Sequence, residues 1–249
     1  MKTTSSLPFP QMHDMFIVAV TVSAIAIAVA VAIALCILIF RIVFPAILSF
    51  PWSMPSKDSR YQKREKKMTV VFAGSFNPPH WGHLVMIRYL AGRYGRVICC
   101  IGVNPNKKYD VTPQTRAQIV REMLSGSDDR TCCKNVQVEV VHGYIWRYAK
   151  IQNASLFFRG IRTWSADGPE ERHLQILNSW GPLLLGPVWP LKTIFLEGDP
   201  KYRDVSSTVV RRICEDRRKS REHGGDMNND ELSRLVPECV VEKVVEAYG

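Results

Sequence analysis

The sequence predicts a doubly wound α/β domain on a parallel five-stranded sheet, preceded by one N-terminal membrane helix. Two observations carry this. Five short runs rich in Val, Ile or Phe alternate with amphipathic stretches, and Met15 to Phe40 is apolar throughout apart from Thr21 and Ser23. Strand and helix in alternation bury both faces of a sheet only when the strands run parallel and the crossovers are right-handed. A chain of 249 residues is long enough for one good core and an appendage.

The apolar run comes first. At 1.5 Å per residue it exceeds a hydrocarbon core of about 30 Å, and it is longer than the roughly 7 to 15 apolar residues of a cleaved signal peptide. The expected organisation is a short tail (1–14), a transmembrane helix (15–40), a basic juxtamembrane linker (41–67) and a folded domain (68–249). Between Lys57 and Lys67, six cations (Lys57, Arg60, Lys63, Arg64, Lys66 and Lys67) stand against Asp58 and Glu65, while the other flank holds only Lys2, Asp14 and the amino terminus. The positive-inside rule then keeps the domain on the cytosolic side; the alternative is an organelle-targeting leader that is removed. The linker suits weak attraction to anionic headgroups. Its sparse aromatics and the lack of a nucleic-acid module argue against nucleic acid as a partner.

The seven cysteines are Cys36, Cys99, Cys100, Cys132, Cys133, Cys214 and Cys239. An odd count without Cys-x-x-Cys spacing supports neither a disulfide framework nor a zinc site.

Past the linker, "MTVVFAG", "RVICCIGV", "NVQVEVV", "SLFFRG" and "KTIFLEG" read as buried strands. Leu84–Tyr94, Pro113–Leu124, roughly Tyr144–Gln152 and roughly Glu170–Trp180 read as helices, with Pro113 well placed as a first helical residue after Thr112. "EDRRKSREHGGDMNNDELSR" is polar enough to be a mobile loop before a last helix around Val240–Ala247.

The first strand runs into "GSFNPPHWGH", Gly74 to His83. In an open parallel sheet, ligands bind beyond the carboxyl ends of the strands. Gly74 permits close approach of a ligand, the prolines stiffen the loop, and His80 to His83 open the next helix. A helix N-terminus offers free amides and partial positive charge, which suit a phosphate. Three residues apart, His80 and His83 share a face, and Gly82 between them leaves room for a nucleotide. The bland alternative is that one histidine merely caps the helix.

"GSFNPPHWGH" resembles the His-x-Gly-His motif of the nucleotidyltransferase superfamily, whose Rossmann-like members transfer a nucleotidyl group and release pyrophosphate. With "NPNKKYDVTPQTR", "FFRGIR", "YRDVSSTVVRRI" and a late "LVPECV", residues Met68 to Tyr248 resemble the bacterial-type phosphopantetheine adenylyltransferases. The leader has no counterpart in that family. The resemblance implies adenylyl transfer from ATP to 4′-phosphopantetheine, giving dephospho-coenzyme A and pyrophosphate.

It also implies roles. Ser75 would touch the attacking phosphate and ATP, with Phe76 beside the nucleotide, and His83 would stabilise the transition state. Lys107 and Arg159 would hold the acceptor phosphate, with Ile145 lining the pantetheine side. ATP would further meet His80, Gly160, Ile161, Arg162 and the turn Tyr202 to Thr208, including Val205, Ser206, Ser207 and Thr208. Its acidic contact falls on Glu171 rather than Glu170, although "SADGPEERHLQILN" lacks the family's aromatic-acidic run.

Two polyanions meet in such a reaction, so fixed cations and hydroxyls carry it by positioning and electrostatics. The net charge of +10 fits such substrates. Mg²⁺ is expected as the cofactor, held mainly by ATP, since no carboxylate cluster is visible. A homo-oligomer is left open. Alternatives are a nicotinate or nicotinamide mononucleotide adenylyltransferase, because "NPPHWGH" and "SSTVVRR" suit both, and a membrane-tethered nucleotide-binding module without turnover. A cytidylyltransferase fits the Ser-Ser-Thr turn less well. Ser206 or Ser207 is also an ordinary helix cap.

Overall fold

The computed structural model describes residues 10–47, 49–50, 63–103, 107–126, 133–186, 188–222 and 230–249. Residues 1–9 of the tail, 51–62 of the linker, 104–106 of "NPNKK", Cys132 and 223–229 of the late polar stretch lie outside these. The chain divides into two compact units, Met1–Phe44 and Pro45–Gly249.

The first unit is helical. Helix α1 spans Pro10–Ile47, and within it Asp14–Ile39 is long and apolar enough to cross a membrane, with none of that stretch buried. The hydroxyls of Thr21 and Ser23 donate one turn back, to the carbonyls of Ile17 (2.9 Å) and Ala19 (2.8 Å). Neither leaves an unmet donor on the apolar surface.

The second unit holds a parallel sheet of β1 (Ser49–Phe50), β2 (Thr69–Gly74), β3 (Arg96–Val103), β4 (Val136–His142), β5 (Leu156–Ile161) and β6 (Lys192–Glu197), in the order β1-β6-β5-β2-β3-β4. Its helices are α2 (Trp81–Arg93), α3 (Pro113–Ser125), α4 (Ile145–Ile151), α5 (Trp164–Leu185), α6 (Ser207–Glu222), α7 (Asp230–Leu235) and α8 (Glu238–Tyr248). The five expected strands are present. A sixth, β1, pairs Ser49 with Phe195 at the sheet edge and comes from the stretch read as linker. The end of that stretch also packs on the domain: Glu65 bonds Arg93 at 2.8 Å, and Lys66 Nζ donates to the Gly92 carbonyl at 2.7 Å.

Strands β2, β3 and β5 are apolar almost without interruption because both faces are covered. Val70, Phe72, Val97 and Phe158 pack under α2 with Leu90, while Val71, Ile98, Cys100 and Phe157 meet Ala149 of α4 on the other face. A third cluster joins Leu84, Ile119 and Met123 to Val210, Leu232 and Val240 of the later helices. All three clusters lie inside the Pro45–Gly249 unit, which therefore has a complete core of its own.

Helix starts follow local chemistry. Thr112 Oγ1 accepts from the Thr115 amide at 3.2 Å, with Pro113 in the first turn, as expected. Helix α5 is longer than expected, because Thr163 caps it through the Ala166 amide (3.2 Å) and Asp167 favours its first turn. Two helices replace much of the expected late loop: α6 runs on to Glu222, and Asp230–Leu235 forms α7. Arg218 and Lys219 lie on the solvated side of α6, whereas Arg217 is buried.

Strand order reverses between β3 and β5, with β2 at the centre. The carboxyl ends of β2 and β5 therefore flank the topological switch point. Met86 of α2 fills the space under this edge. A Cβ on Gly160 would stand 2.6 Å from its Sδ and 3.2 Å from the Phe72 ring, and one on Gly198 would stand 2.9 Å from its Cε. Gly160→Ala should destabilise the chain by about 1–3 kcal/mol. Combining it with Met86→Ala should cost less than the sum of the two changes in chemical denaturation; strict additivity would show that this contact is not the source of the strain.

Candidate functional site

The loop after β2 is held from several directions. Its carbonyls accept from Arg159 Nη1 (Ala73 O, 2.8 Å), Arg116 Nη1 (Ser75 O), Arg211 Nη1 (Asn77 O) and Ser207 Oγ (Pro78 O, 2.8 Å), and Tyr248 donates to Asn77 Oδ1 at 2.8 Å. Phe76 takes a left-handed conformation, φ 47°. Its ring is fully buried, edge-on to Phe72 at 5.8 Å and tilted against His83 at 4.8 Å. Phe76 therefore supports the His83 ring from below and does not itself line the cleft.

His80 occupies the N-cap position of α2, yet its side chain makes no capping bond. The capping alternative is thereby removed. The His80 and His83 ring centroids are 3.9 Å apart, on the one face that their spacing predicts. Each ring buries an Nδ1 with no partner. A Cβ on Gly82 would come 3.1 Å from His80 Cε1, so Gly82 makes room first for that imidazole.

A cleft of about 210 Å³ opens here. It is lined by His80, Gly82, His83 and Met86, by Gly160, Ile161, Arg162, Asp167 and Glu171, and by Val205, Ser206 and Ser207. Nine of the residues expected to meet ATP thus converge from three separate stretches. The N-termini of α2 and α6 both open on it. Ser206 Oγ accepts from the Val209 amide at 3.3 Å and caps α6, leaving Ser207 to reach Pro78. Capping and ligand binding share the turn.

The remaining expected residues do not line the cleft. Ser75 is exposed at the loop, and Lys107 is exposed just past residues 104–106. Ile145 leans over Gly102 at the end of β3, where a Cβ would meet its Cδ1 at 2.8 Å. Tyr202 stacks on Trp81 at 6.0 Å, and Thr208 Oγ1 accepts from Arg211 at 3.2 Å. Arg159 forms a two-pronged pair with Glu171, at 2.7 and 2.5 Å. The carboxylate expected to meet ATP therefore orients an arginine here.

Two residues escaped sequence reasoning. Asp167 holds Arg162 through its amide (2.7 Å) and its guanidinium (2.6 Å); the signal was an acid in the first turn of a helix five residues past the arginine. Arg116, in "PQTR", is wholly buried, stands 4.4 Å over the Tyr109 ring, and leaves Nε and Nη2 without partners. Burial pulls its pKa below the ordinary value, and nothing in the local sequence marks it.

Burial holds the His83 imidazole down at about 4, assisted by the Arg159 charge. Burial, then His83 and Arg162, keep His80 well below the usual 6.5. Both rings are neutral donors and acceptors near pH 7. Because both folded values lie below the unfolded one, their contribution to stability is full above about pH 6.5 and is lost as pH falls toward 4. The thermal midpoint should drop across that window, and less steeply in His83→Gln. If anion binding in that window charges the imidazoles it should take up protons, read by calorimetry in buffers of different ionisation enthalpy; identical heats would show that the rings stay neutral when the anion binds.

Residues 71–213 match the family model described as cytidylyltransferase-like. The chain is 32% identical over 179 residues to the phosphopantetheine adenylyltransferase of Neisseria meningitidis serogroup C, covering 72% of this chain and 92% of that one. It is 34% identical over 180 residues to that of Chromobacterium violaceum, covering 72% and 96%. The Plasmodium falciparum nicotinic acid mononucleotide adenylyltransferase solved with NaAD is similar over 72% of this chain and 95% of that one, at 9% identity and a TM-score of 0.46. With a histidine pair, an Arg-Gly-Ile-Arg strand end and a Ser-Ser helix start converging at the switch point, and relatives matched over nearly their whole length, this chain belongs to the phosphopantetheine adenylyltransferase family.

Proposed function

We propose that the chain transfers the adenylyl group of ATP to 4′-phosphopantetheine, forming dephospho-coenzyme A and pyrophosphate. The observation that carries this is the pair of buried imidazoles, each with an unpartnered Nδ1, lining a cleft between two helix N-termini. A phosphate oxygen of the acceptor attacks the α-phosphorus. The bond to the β-bridging oxygen breaks, and pyrophosphate leaves with the electron pair. No protein nucleophile is needed, so catalysis reduces to positioning and to stabilising charge on the transferred oxygens.

In this reading His83 donates to the α-phosphoryl oxygens as a neutral imidazole, and Arg162, His80 and the α6 amides receive the other phosphates of ATP. Ser75 lies between ATP and acceptor, Lys107 and Arg159 hold the acceptor phosphate, and Ile145 lines its pantetheine arm. Gly160 and Ile161 let the nucleotide approach the β5 end, with Tyr202, Val205 and the Ser206–Thr208 turn on the other side. Among the described residues, no group of three or more His, Cys, Asp or Glu is placed to hold a metal, and Asp167 and Glu171 are engaged by arginines. Mg²⁺ would be held mainly by the triphosphate, whose charge it would offset. The apolar part of α1 serves as a single-pass anchor that leaves the catalytic domain on the cytosolic side.

Purified protein given ATP, Mg²⁺ and either phosphopantetheine or nicotinate mononucleotide should release pyrophosphate with the first and little with the second; the reverse order would transfer the chain to the pyridine-nucleotide enzymes. Release with neither acceptor, despite ATP binding by calorimetry, would make it a binding module. His83→Ala should lower turnover by roughly 10²- to 10³-fold while changing ATP affinity less. Near wild-type turnover in that variant would remove His83 from the mechanism.

A further inference from the structure

Among the described residues, Arg116 is the only charged side chain with no exposed surface, and the adenylyl-transfer reading gives it no task. It sits one turn into α3. The Thr112 cap fixes the start of that helix, the Arg116 amide donates to the Thr112 carbonyl at 3.1 Å, and Ala117, Ile119 and Val120 are buried beside it. The backbone that carries the guanidinium is therefore rigid.

The guanidinium makes two contacts. Nη1 donates to the Ser75 carbonyl, 41 residues back along the chain, and the group stands 4.4 Å over the Tyr109 ring in its own stretch. No carboxylate of the described residues acts on it; the ionisable groups that do are the phenols of Tyr109 and Tyr248. Nε and Nη2 are buried without partners. Burying a cation on such terms is costly, and an apolar side chain of similar volume would pack α3 at less cost. Packing alone is thus a poor account of this residue.

The two contacts join two loops. Ser75 lies in the loop after β2, and Lys107 lies between β3 and α3, two residues before Tyr109; both are exposed. Phe76 holds its left-handed φ of 47° only while the flanking peptides are restrained, and the Arg116 bond restrains the peptide between Ser75 and Phe76. The other donors to this loop, Arg159, Arg211 and Ser207, hold the carbonyls of Ala73, Asn77 and Pro78 instead.

We propose that Arg116 is a positioning residue of the acceptor-phosphate subsite: by bonding the Ser75 carbonyl and stacking on Tyr109, it ties the loop that carries Ser75 to the segment that carries Lys107. It touches no substrate. The inference rests on the adenylyl-transfer reading and adds the device that sets these two side chains before the phosphomonoester arrives. On the ATP side, the corresponding positioning falls to Ser207, Arg211 and Asp167.

Two substitutions test the parts of this device in the full chain. Tyr109→Leu removes the ring under the guanidinium at a half-buried position. Arg116→Lys keeps the charge and loses the planar fork. Each should raise KM for phosphopantetheine by about tenfold or more, while the ATP dissociation constant, measured by calorimetry without acceptor, changes less than about twofold. Both changes act on one contact, so the double variant should fall short of the product of the two effects. Should Arg116→Lys fail to fold, Tyr109→Leu decides alone. An acceptor KM unmoved in Tyr109→Leu, or moved by the same factor as ATP affinity, would overturn the proposal and leave Arg116 a structural staple. An unaltered chain that releases no pyrophosphate with phosphopantetheine would overturn the adenylyl-transfer reading, and this inference with it. Release by the unaltered chain, matched by both variants at equal KM, would overturn this inference alone.

Discussion

The site depends on how the backbone carbonyls of one short loop are held. Between Ala73 and Pro78 the chain leaves the sheet, and four of its carbonyls accept from Arg159, Arg116, Arg211 and Ser207, on β5, α3 and α6. An arginine buried against a carbonyl has little freedom, because losing that bond would strand a charge in a dry interior. The loop is thereby fixed both by the neighbouring strand and by the helices packed beside α2. Its position sets where α2 begins, and the start of α2 sets the two imidazoles. The same donors tie the phosphate-facing turn to the helices that carry Ser206 and Ser207, so the halves of the cleft move as one body.

Charge is arranged so that each cation in the cleft is either oriented or switched off. Glu171 holds Arg159 from two directions and Asp167 does the same for Arg162, Asp167 lying in the first turn of α5 and Glu171 one turn further on. The Arg162 pair is half exposed and contributes little stability. Its value is geometric, since a guanidinium already aimed loses less entropy when an anion arrives. The histidines are neutral first because burial disfavours their charged form, and second because neighbouring positive charge does. The site is thus kept from repelling itself, and an entering polyanion reverses that balance.

Much of this was legible in the sequence, for reasons that also explain what was not. The strands were visible because each is buried on both faces and reads as an unbroken apolar run; "GSFNPPHWGH" was visible because its parts are contiguous. Thr112 and Pro113 announced α3 by local rules alone. Helix α5 begins earlier than expected because the Thr163 cap and packing against β5 and β6 carry it through Gly168 and Pro169. Arg116 and Asp167 were missed because what matters about each is a partner: for Arg116, the Ser75 carbonyl 41 residues away; for Asp167, the strand-end arginine whose orientation only the fold defines. Strand β1 has two residues and no pattern to read.

The bond from Tyr248 to Asn77 spans 171 positions of sequence, and this has a meaning in time as well as space. Closing so long a loop costs chain entropy that nearby contacts do not, so such contacts form late. On the ribosome, β2 to β6 can associate while α8 is still inside the exit tunnel, giving a sheet with its switch point in place and its phosphate loop held by fewer hands. The nascent protein would have a recognisable fold before it had a competent site. Only when the stretch around Tyr248 emerges and folds back against Leu84, Ile119 and Val210 is the last donor delivered to the loop.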